Sequence, residues 1–281
     1  ASDVYKRQIE EKRRLTKMLR TKNYDKLASS PNITIYNGTA RFAERSKIEV
    51  KTGGKSIIIE GDKIFINTGS TPRIPPISGL STTSGIYTSA ELMDLDNFPE
   101  KLTIIGGGYI GLEFASMFSG FGSDVTVIQD GETFLPREDE DIAGEIKAIL
   151  EKSGVKFRLG AKIKYVDEGP KVVFEWNKQD YSLESDAVLA ATGRIPNTSE
   201  LNCQAAGIEL TPGQAVKVDQ NLRTTAENVW AMGDVTGGLQ HTYISLDDSR
   251  IVWSQLSGSG NYTADSRRNV PYSVFLSTPY S

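Results

Sequence analysis

The sequence predicts an α/β protein in which a parallel-sheet unit is inserted into a second unit rich in short strands. Three observations carry this. Between Leu102 and Arg158 apolar strand-length runs alternate with helix-length amphipathic segments, the pattern of a parallel sheet covered by helices. Shorter β-like runs lie before and after that block. Two proline-marked crossings, Thr71-Pro72-Arg73-Ile74-Pro75-Pro76 and Ile195-Pro196-Asn197, separate the parts. The length of 281 residues fits roughly two domains at about 150 residues each.

In chain order, Tyr5 and Ile9, then Leu15, Met18 and Leu19, share one face of a helix predicted over residues 5–27. Its other positions are mostly basic but interleaved with Glu10, Glu11 and Asp25, and no base-stacking aromatics accompany them. That is a solvated face and not a nucleic-acid footprint. Short strands are predicted at Ile33 to Tyr36, Lys47 to Lys51, Ser56 to Ile59 and Lys63 to Ile66, broken by Thr52-Gly53-Gly54 and Glu60-Gly61-Asp62. The alternating block then reads as strand Leu102 to Ile105, helix Tyr109 to Phe121, strand Asp124 to Ile128, helix Glu138 to Lys152 and strand Val155 to Arg158. Further strands are expected at Ile163 to Val166, Lys171 to Trp176, Tyr181 to Leu183 and Ala187 to Ala190.

Composition narrows the function. Lys plus Arg number 32 against 36 for Asp plus Glu, a net charge of -4, with 38% hydrophobic and 24% charged residues, which excludes a disordered chain. No apolar run approaches the roughly 18 to 20 residues of a membrane helix, so no membrane partner is expected. One cysteine, Cys203, excludes an internal disulfide and a multi-cysteine metal site, and His241 is the lone histidine, so no metal is expected. Cys203 has no thiolate-stabilising neighbours in sequence and reads as inert. These counts fit a reducing, cytoplasmic setting.

The strongest chemical signal is Gly106-Gly107-Gly108-Tyr109-Ile110-Gly111, a Gly-x-Gly-x-x-Gly placed directly between a predicted strand and a predicted helix. In that context Gly106 permits the tight turn, Gly108 lets backbone approach a pyrophosphate, and Gly111 lets the helix pack closely on the strand. The helix N-terminus then offers N–H groups to the phosphates. About 20 residues on, where an acid commonly meets the ribose of NAD and a cation the extra phosphate of NADP, stand Gln129 and Asp130. Gln129 suits either cofactor. Asp130 and the lack of an adjacent Arg favour NADH, while Arg137 is the nearest cation that reverses this; the choice stays open. The acid run Glu138-Asp139-Glu140-Asp141 is read as favourable charge in the first turn of a helix, without a chemical role.

Three further motifs echo one another: Thr68-Gly69-Ser70-Thr71-Pro72, Thr192-Gly193-Arg194-Ile195-Pro196-Asn197, and Trp230-Ala231-Met232-Gly233-Asp234-Val235. The order IFINTGSTP, IIGGGYIGLEFA, ATGRIPN, VWAMGDV resembles the pyridine nucleotide-disulfide oxidoreductase family over nearly the whole chain. FGSDVTVIQDGETFLPREDEDIA and YISLDDSRIV resemble most the branch of reactive-chlorine-resistance flavoprotein reductases. The resemblance implies two dinucleotide-binding, Rossmann-like domains, with the NAD(P) domain inserted into an incomplete FAD domain. It implies FAD and NADH or NADPH as cofactors. Thr68, Gly69 and Ser70 are expected to approach the FAD, Gly233 and Asp234 to hold its ribityl or phosphate portion, and Gln240, His241, Thr242 and Tyr243 to continue around the flavin. The glycine fingerprint and Glu113 are expected along the NAD(P)H, Tyr109 near the nicotinamide, and Gly193 and Arg194 at the border of the same site.

The implied domains are a partial FAD-binding part (1–85), an NAD(P)H-binding domain (86–196), a second FAD part (197–265) and the start of a dimerisation domain (266–281). The last is expected to open with a strand over Val270 to Phe275 and to make the natural protein a homodimer. The first glycine fingerprint of such enzymes, their Cys-x4-Cys pair and their His-x4-Glu pair have no counterpart here. The chain therefore resembles an internal piece of a longer reductase, and no catalytic residue is assigned. Ala1 to Gln8 match nothing in the pattern. The implied function is hydride transfer from NAD(P)H to flavin and on to a disulfide or another small oxidant. The alternatives are a cysteine-free flavin or quinone reductase and a redox sensor that binds nucleotide without turnover.

Overall fold

The computed structural model describes residues 2–260, 262–268 and 270–277. In chain order the elements are α1 (Ser2–Ala28), β1 (Thr39–Glu44), β2 (Lys47–Thr52), β3 (Lys55–Glu60), β4 (Ile64–Ile66), β5 (Ser70–Pro72), β6 (Ile86–Tyr87), α2 (Ser89–Leu92), β7 (Lys101–Ile105) and α3 (Tyr109–Phe121). There follow β8 (Asp124–Ile128), α4 (Glu140–Lys152), β9 (Lys156–Arg158), β10 (Lys162–Asp167), β11 (Lys171–Trp176), β12 (Gln179–Glu184), β13 (Ala187–Ala190), β14 (Arg194–Pro196), β15 (Val229–Ala231) and α5 (Thr242–Leu256). Contacts divide them into two compact units, residues 1–23, 72–193 and 273–281, and residues 24–71 and 194–272.

The first unit is built on a five-stranded sheet of order β6-β13-β7-β8-β9, parallel at every pairing. Its strands read as near-continuous apolar runs because both faces are covered: β13 is buried throughout and β7 and β8 from their second residue on. Helix α3 starts after Gly108 and stops at Gly122, which adopts the left-handed conformation that ends helices. It buries Leu112, Ala115 and Phe118, spaced three residues apart on one face. Helix α4 does the same with Ala143, Ile146 and Leu150. The antiparallel sheet β10-β11-β12 belongs to the same unit, where Val166, Val172 and Phe174 join Ile105, Ile128 and Val188 in one core.

The start of α1 is pinned to this unit by Tyr5, which is 1% exposed, packs against Phe98, Phe118 and Phe121, and donates its hydroxyl to the Leu95 carbonyl at 2.7 Å. Lys12 and Arg13 pair with Asp94, and Arg13 also with Asp96 at 2.7 Å. The apolar face expected along α1 is buried only at this end. Leu15, Met18 and Leu19 are exposed.

The second unit contains the antiparallel sheet β1-β2-β3, the parallel pair β4-β15, the pair β5-β14 and helix α5. Its core gathers Phe42, Ile66, Val216, Val229, Ala231 and Val235. Two strand expectations fail. Ile33 to Tyr36 is irregular, with Ile33 and Tyr36 exposed and no strand paired to it among the described residues; the strand lies at β1, whose only buried residue is Phe42. Among residues 270–277 only Val274, which is buried, makes a β-bridge, and no continuous strand runs through them. The other implied dimerisation residues, 269 and 278–281, lie outside the described residues.

Candidate functional site

In the first unit the strand order reverses between β7 and β13, and at the carboxyl ends of these two strands opens a cavity of about 910 Å³. Such a switch point is where open parallel sheets bind their ligands. The glycine loop forms its floor. Gly106 has φ +108°, a left-handed conformation, and a Cβ there would collide with the Ala191 carbonyl. A Cβ on Gly111 would strike the Gly106 carbonyl, so the helix sits against the turn as closely as backbone allows. Over Gly108 the space is open within 4 Å. Gly108 is also the N-cap of α3 and supplies no side-chain cap to the helix N–H groups. A bare helix N-terminus beneath open space at a switch point fits a pyrophosphate.

Gly107 and Gln129 are a matched pair. The Gln129 amide donates to the Gly131 and Thr133 carbonyls at 3.2 and 2.8 Å, which turns its Oε1 into the space a Gly107 side chain would need. The neighbouring Asp130 accepts the Gly131 N–H at 2.8 Å. Arg73, Arg137 and Lys162 bring positive charge to the cavity wall, against Asp130, Glu132 and Glu138. Gly193 lines the cavity as well and accepts the Arg73 N–H at 2.9 Å.

Two residues of this region have partners that the sequence did not suggest. Helix α4 begins at Glu140 with Asp139 as N-cap, so Glu140 and Asp141 occupy its first turn but Glu138 precedes it. Glu138 accepts a 2.6 Å hydrogen bond from the Tyr109 hydroxyl, and both residues line the cavity, so it does not merely serve the helix dipole. Glu113 does not line the cavity. Its Oε1 accepts the Phe275 N–H at 3.0 Å, while Ile110 sits in the first turn of α3.

In the second unit the remaining motifs meet around Asp234. Asp234 accepts the Ser70 hydroxyl at 2.7 Å, and Arg194 donates to Ser70 Oγ at 2.7 Å and to its carbonyl at 2.6 Å. Arg194 is thus held with Ser70 and Asp234. Thr68 and Asn197 exchange hydrogen bonds at 2.9 Å in each direction. Gly69 turns with φ +71° beside open space. Gly233 has φ +73°, and a Cβ there would stand 2.8 Å from Ser245 Oγ and 3.0 Å from Asn67 Oδ1.

His241 caps α5 and is stacked between Tyr243 and Tyr272, with ring centroids 5.2 and 5.7 Å away; Gln240 and Thr242 flank it. Two residues that spacing did not mark stand behind the turn. Asp248, 2% exposed, accepts the Gly233 N–H at 2.6 Å and pairs with Arg267, which also bonds Asp247 at 2.7 Å. Burial works against the Arg267 charge, but the hydrogen bonds to Asp248 and Asp247 prevail and raise its pKa. Only the repeated acids in YISLDDSRIV hinted at this pair. Cys203 is buried, burial pushes its thiol pKa up, and an inert role suits it. No group of three or more metal-ligating side chains occurs among the described residues, and no helix there is long and apolar enough to cross a membrane.

Comparison with known proteins agrees with these motifs. A family profile described as "Pyridine nucleotide-disulphide oxidoreductase" matches residues 2–249, so the opening residues expected to lie outside the pattern fall within it from Ser2 onward. The chain is 47% identical over 275 residues to the probable pyridine nucleotide-disulfide oxidoreductase RclA of Escherichia coli, covering 98% of this chain and 62% of that protein. It is 33% identical to a mercuric reductase of Lysinibacillus sphaericus, covering 92% of this chain and 47% of that one. A solved structure of the HOCl-induced flavoprotein disulfide reductase RclA from Escherichia coli superposes with a TM-score of 0.91 at 46% identity, over 97% of this chain and 62% of that chain. The chain thus spans less than two thirds of the length of these relatives.

Proposed function

The chain belongs to the pyridine nucleotide-disulphide oxidoreductase family, and from that premise we propose that it carries the NAD(P)H site and part of the FAD site of a flavoprotein reductase. In this reading the first unit binds the nicotinamide nucleotide and the second contributes to the flavin site. The observation that carries it is the bare N-terminus of α3 under the open space at Gly108, at the sheet's switch point.

Backbone N–H groups of α3 bind the pyrophosphate there, where the helix dipole favours negative charge. Glu138 orients the Tyr109 ring at the wall of the same cavity. Gln129 shapes the ribose end of the cavity, and Asp130 disfavours a 2′-phosphate there. In the second unit Asp234, held by the Ser70 hydroxyl that Arg194 fixes in turn, offers a fixed acceptor to a hydroxyl chain. Bound FAD supplies the two-electron acceptance that passes reducing equivalents from a nicotinamide to a disulfide or another oxidant.

The chain lacks a second glycine fingerprint for the ADP half of FAD. Residues 1–281 alone are therefore expected to bind NADH or NADPH, to hold FAD weakly or not at all, and to turn over no disulfide. Calorimetric titration with NADH, NADPH and FAD tests this: absence of binding by either nicotinamide nucleotide overturns the reading.

A further inference from the structure

The YISLDDSRIV segment contributes a buried carboxylate that the proposed chemistry leaves unused. Asp248 lies on α5, and both of its oxygens are engaged: Oδ2 by the Gly233 N–H at 2.6 Å, Oδ1 by the Arg267 guanidinium. Arg267 is fixed in turn by Asp247 at 2.7 Å, and Asp247 accepts the Tyr262 hydroxyl at 3.2 Å. Gly233 is the residue that turns left-handed immediately before Asp234. Glycine enters that region without steric cost but is not confined to it, so the turn needs an outside bond to stay in one conformation, and a charge-assisted bond to a buried carboxylate is a strong form of such support. A carboxylate this buried needs a cation, which Arg267 supplies from outside the motif.

We propose that Asp248, neutralised by Arg267, is a positioning residue for the Gly233–Asp234 turn and so sets how tightly the second unit holds its flavin. This rests on the reading that Asp234 meets FAD. Asp248 touches no cofactor in this account; it fixes the amide that aims Asp234.

The test uses the natural reductase carrying this sequence, stripped of flavin and titrated with FAD. Asp248→Ala is expected to weaken FAD binding at least tenfold. Asp248→Asn, which keeps an acceptor for the Gly233 N–H, should weaken it less, and Arg267→Lys should recover much of what Arg267→Gln loses. In parallel, hydrogen exchange at the Gly233 amide of the 281-residue chain should accelerate in Asp248→Ala and in Arg267→Gln. Asp248→Asn and Arg267→Lys keep the test usable should the harsher variants fail to fold. Variants that lower the melting temperature but leave FAD affinity within twofold of the parent overturn the positioning role. A parent protein that binds no FAD overturns the flavin reading instead, and unchanged Gly233 exchange in every variant overturns the clamp itself.

Discussion

The two units make their candidate sites in opposite ways. In the first, one continuous stretch of strand, glycine turn and helix, residues 101–121, supplies the cradle, and the rest of the cavity closes around it. In the second, the Asp234 turn is held by Ser70, Arg194, Asp248 and Arg267, four residues spread over nearly two hundred positions. A cradle made of backbone along one segment is specified where it stands. A turn held by distant side chains exists only once the whole unit has packed.

The sharpest way to break this comparison is to fill each cradle at its glycine. Gly108→Trp places a side chain in the open space over α3 and should weaken NADH binding about 100-fold or more while leaving the fold intact. Calorimetry together with circular dichroism reads both effects. Gly233→Ala should act in reverse. With φ +73° and Ser245 and Asn67 in the way, it should cost about 1–3 kcal/mol of stability. Denaturant titration measures that cost, and NADH affinity should stay unchanged. A Gly233→Ala chain that binds NADH poorly would show that the two sites are not independent.

Smaller effects sharpen the contrast. Glu138→Gln weakens the acceptor for the Tyr109 hydroxyl and should change NADH affinity by about 1 kcal/mol, the worth of one hydrogen bond, with Tyr109→Phe making the double variant no worse. Arg137→Ala should shift the NADPH-to-NADH affinity ratio toward NADH; a ratio that does not move removes Arg137 from the ribose end. Tyr5 offers the mildest probe. Burial, with Asp96 adding to it, raises its pKa, so the folded state binds the phenol proton more tightly than the unfolded chain. Its stabilising contribution is complete below the unfolded value of about 10 and is lost as pH rises through the higher folded value. Tyr5→Phe should flatten that alkaline loss of stability.

Legibility followed the same division. The bounds of α3, β8 and β13 could be read from sequence because glycines and turns flank uninterrupted apolar runs. β1 could not, since Phe42 alone is buried in Thr39–Glu44, whereas the alternation at Ile33 to Tyr36 imitated a strand that finds no partner. Glu138 was masked by its acidic neighbours: the start of α4 at Glu140 sets it apart from Glu140 and Asp141, and only its bond to Tyr109 sets it apart from the N-cap Asp139. Its partner Tyr109 lies 29 positions away, beyond any local spacing rule. Asp248 and Arg267 escaped for the same reason, since a buried pair that holds a distant turn leaves no periodic trace.

The folded-back amide of Gln129 has a bearing on protein engineering. Because that side chain ties down the carbonyls of Gly131 and Thr133 while its oxygen roofs Gly107, position 129 is a structural pin as well as the position we propose for the ribose. Swapping in glutamate to retune coenzyme choice would set a carboxylate against two carbonyl oxygens that now receive N–H bonds. The loop would let go, and the glycine turn would lose its roof. Coenzyme preference in this scaffold is therefore better redesigned from Asp130 and Arg137, leaving the pin in place.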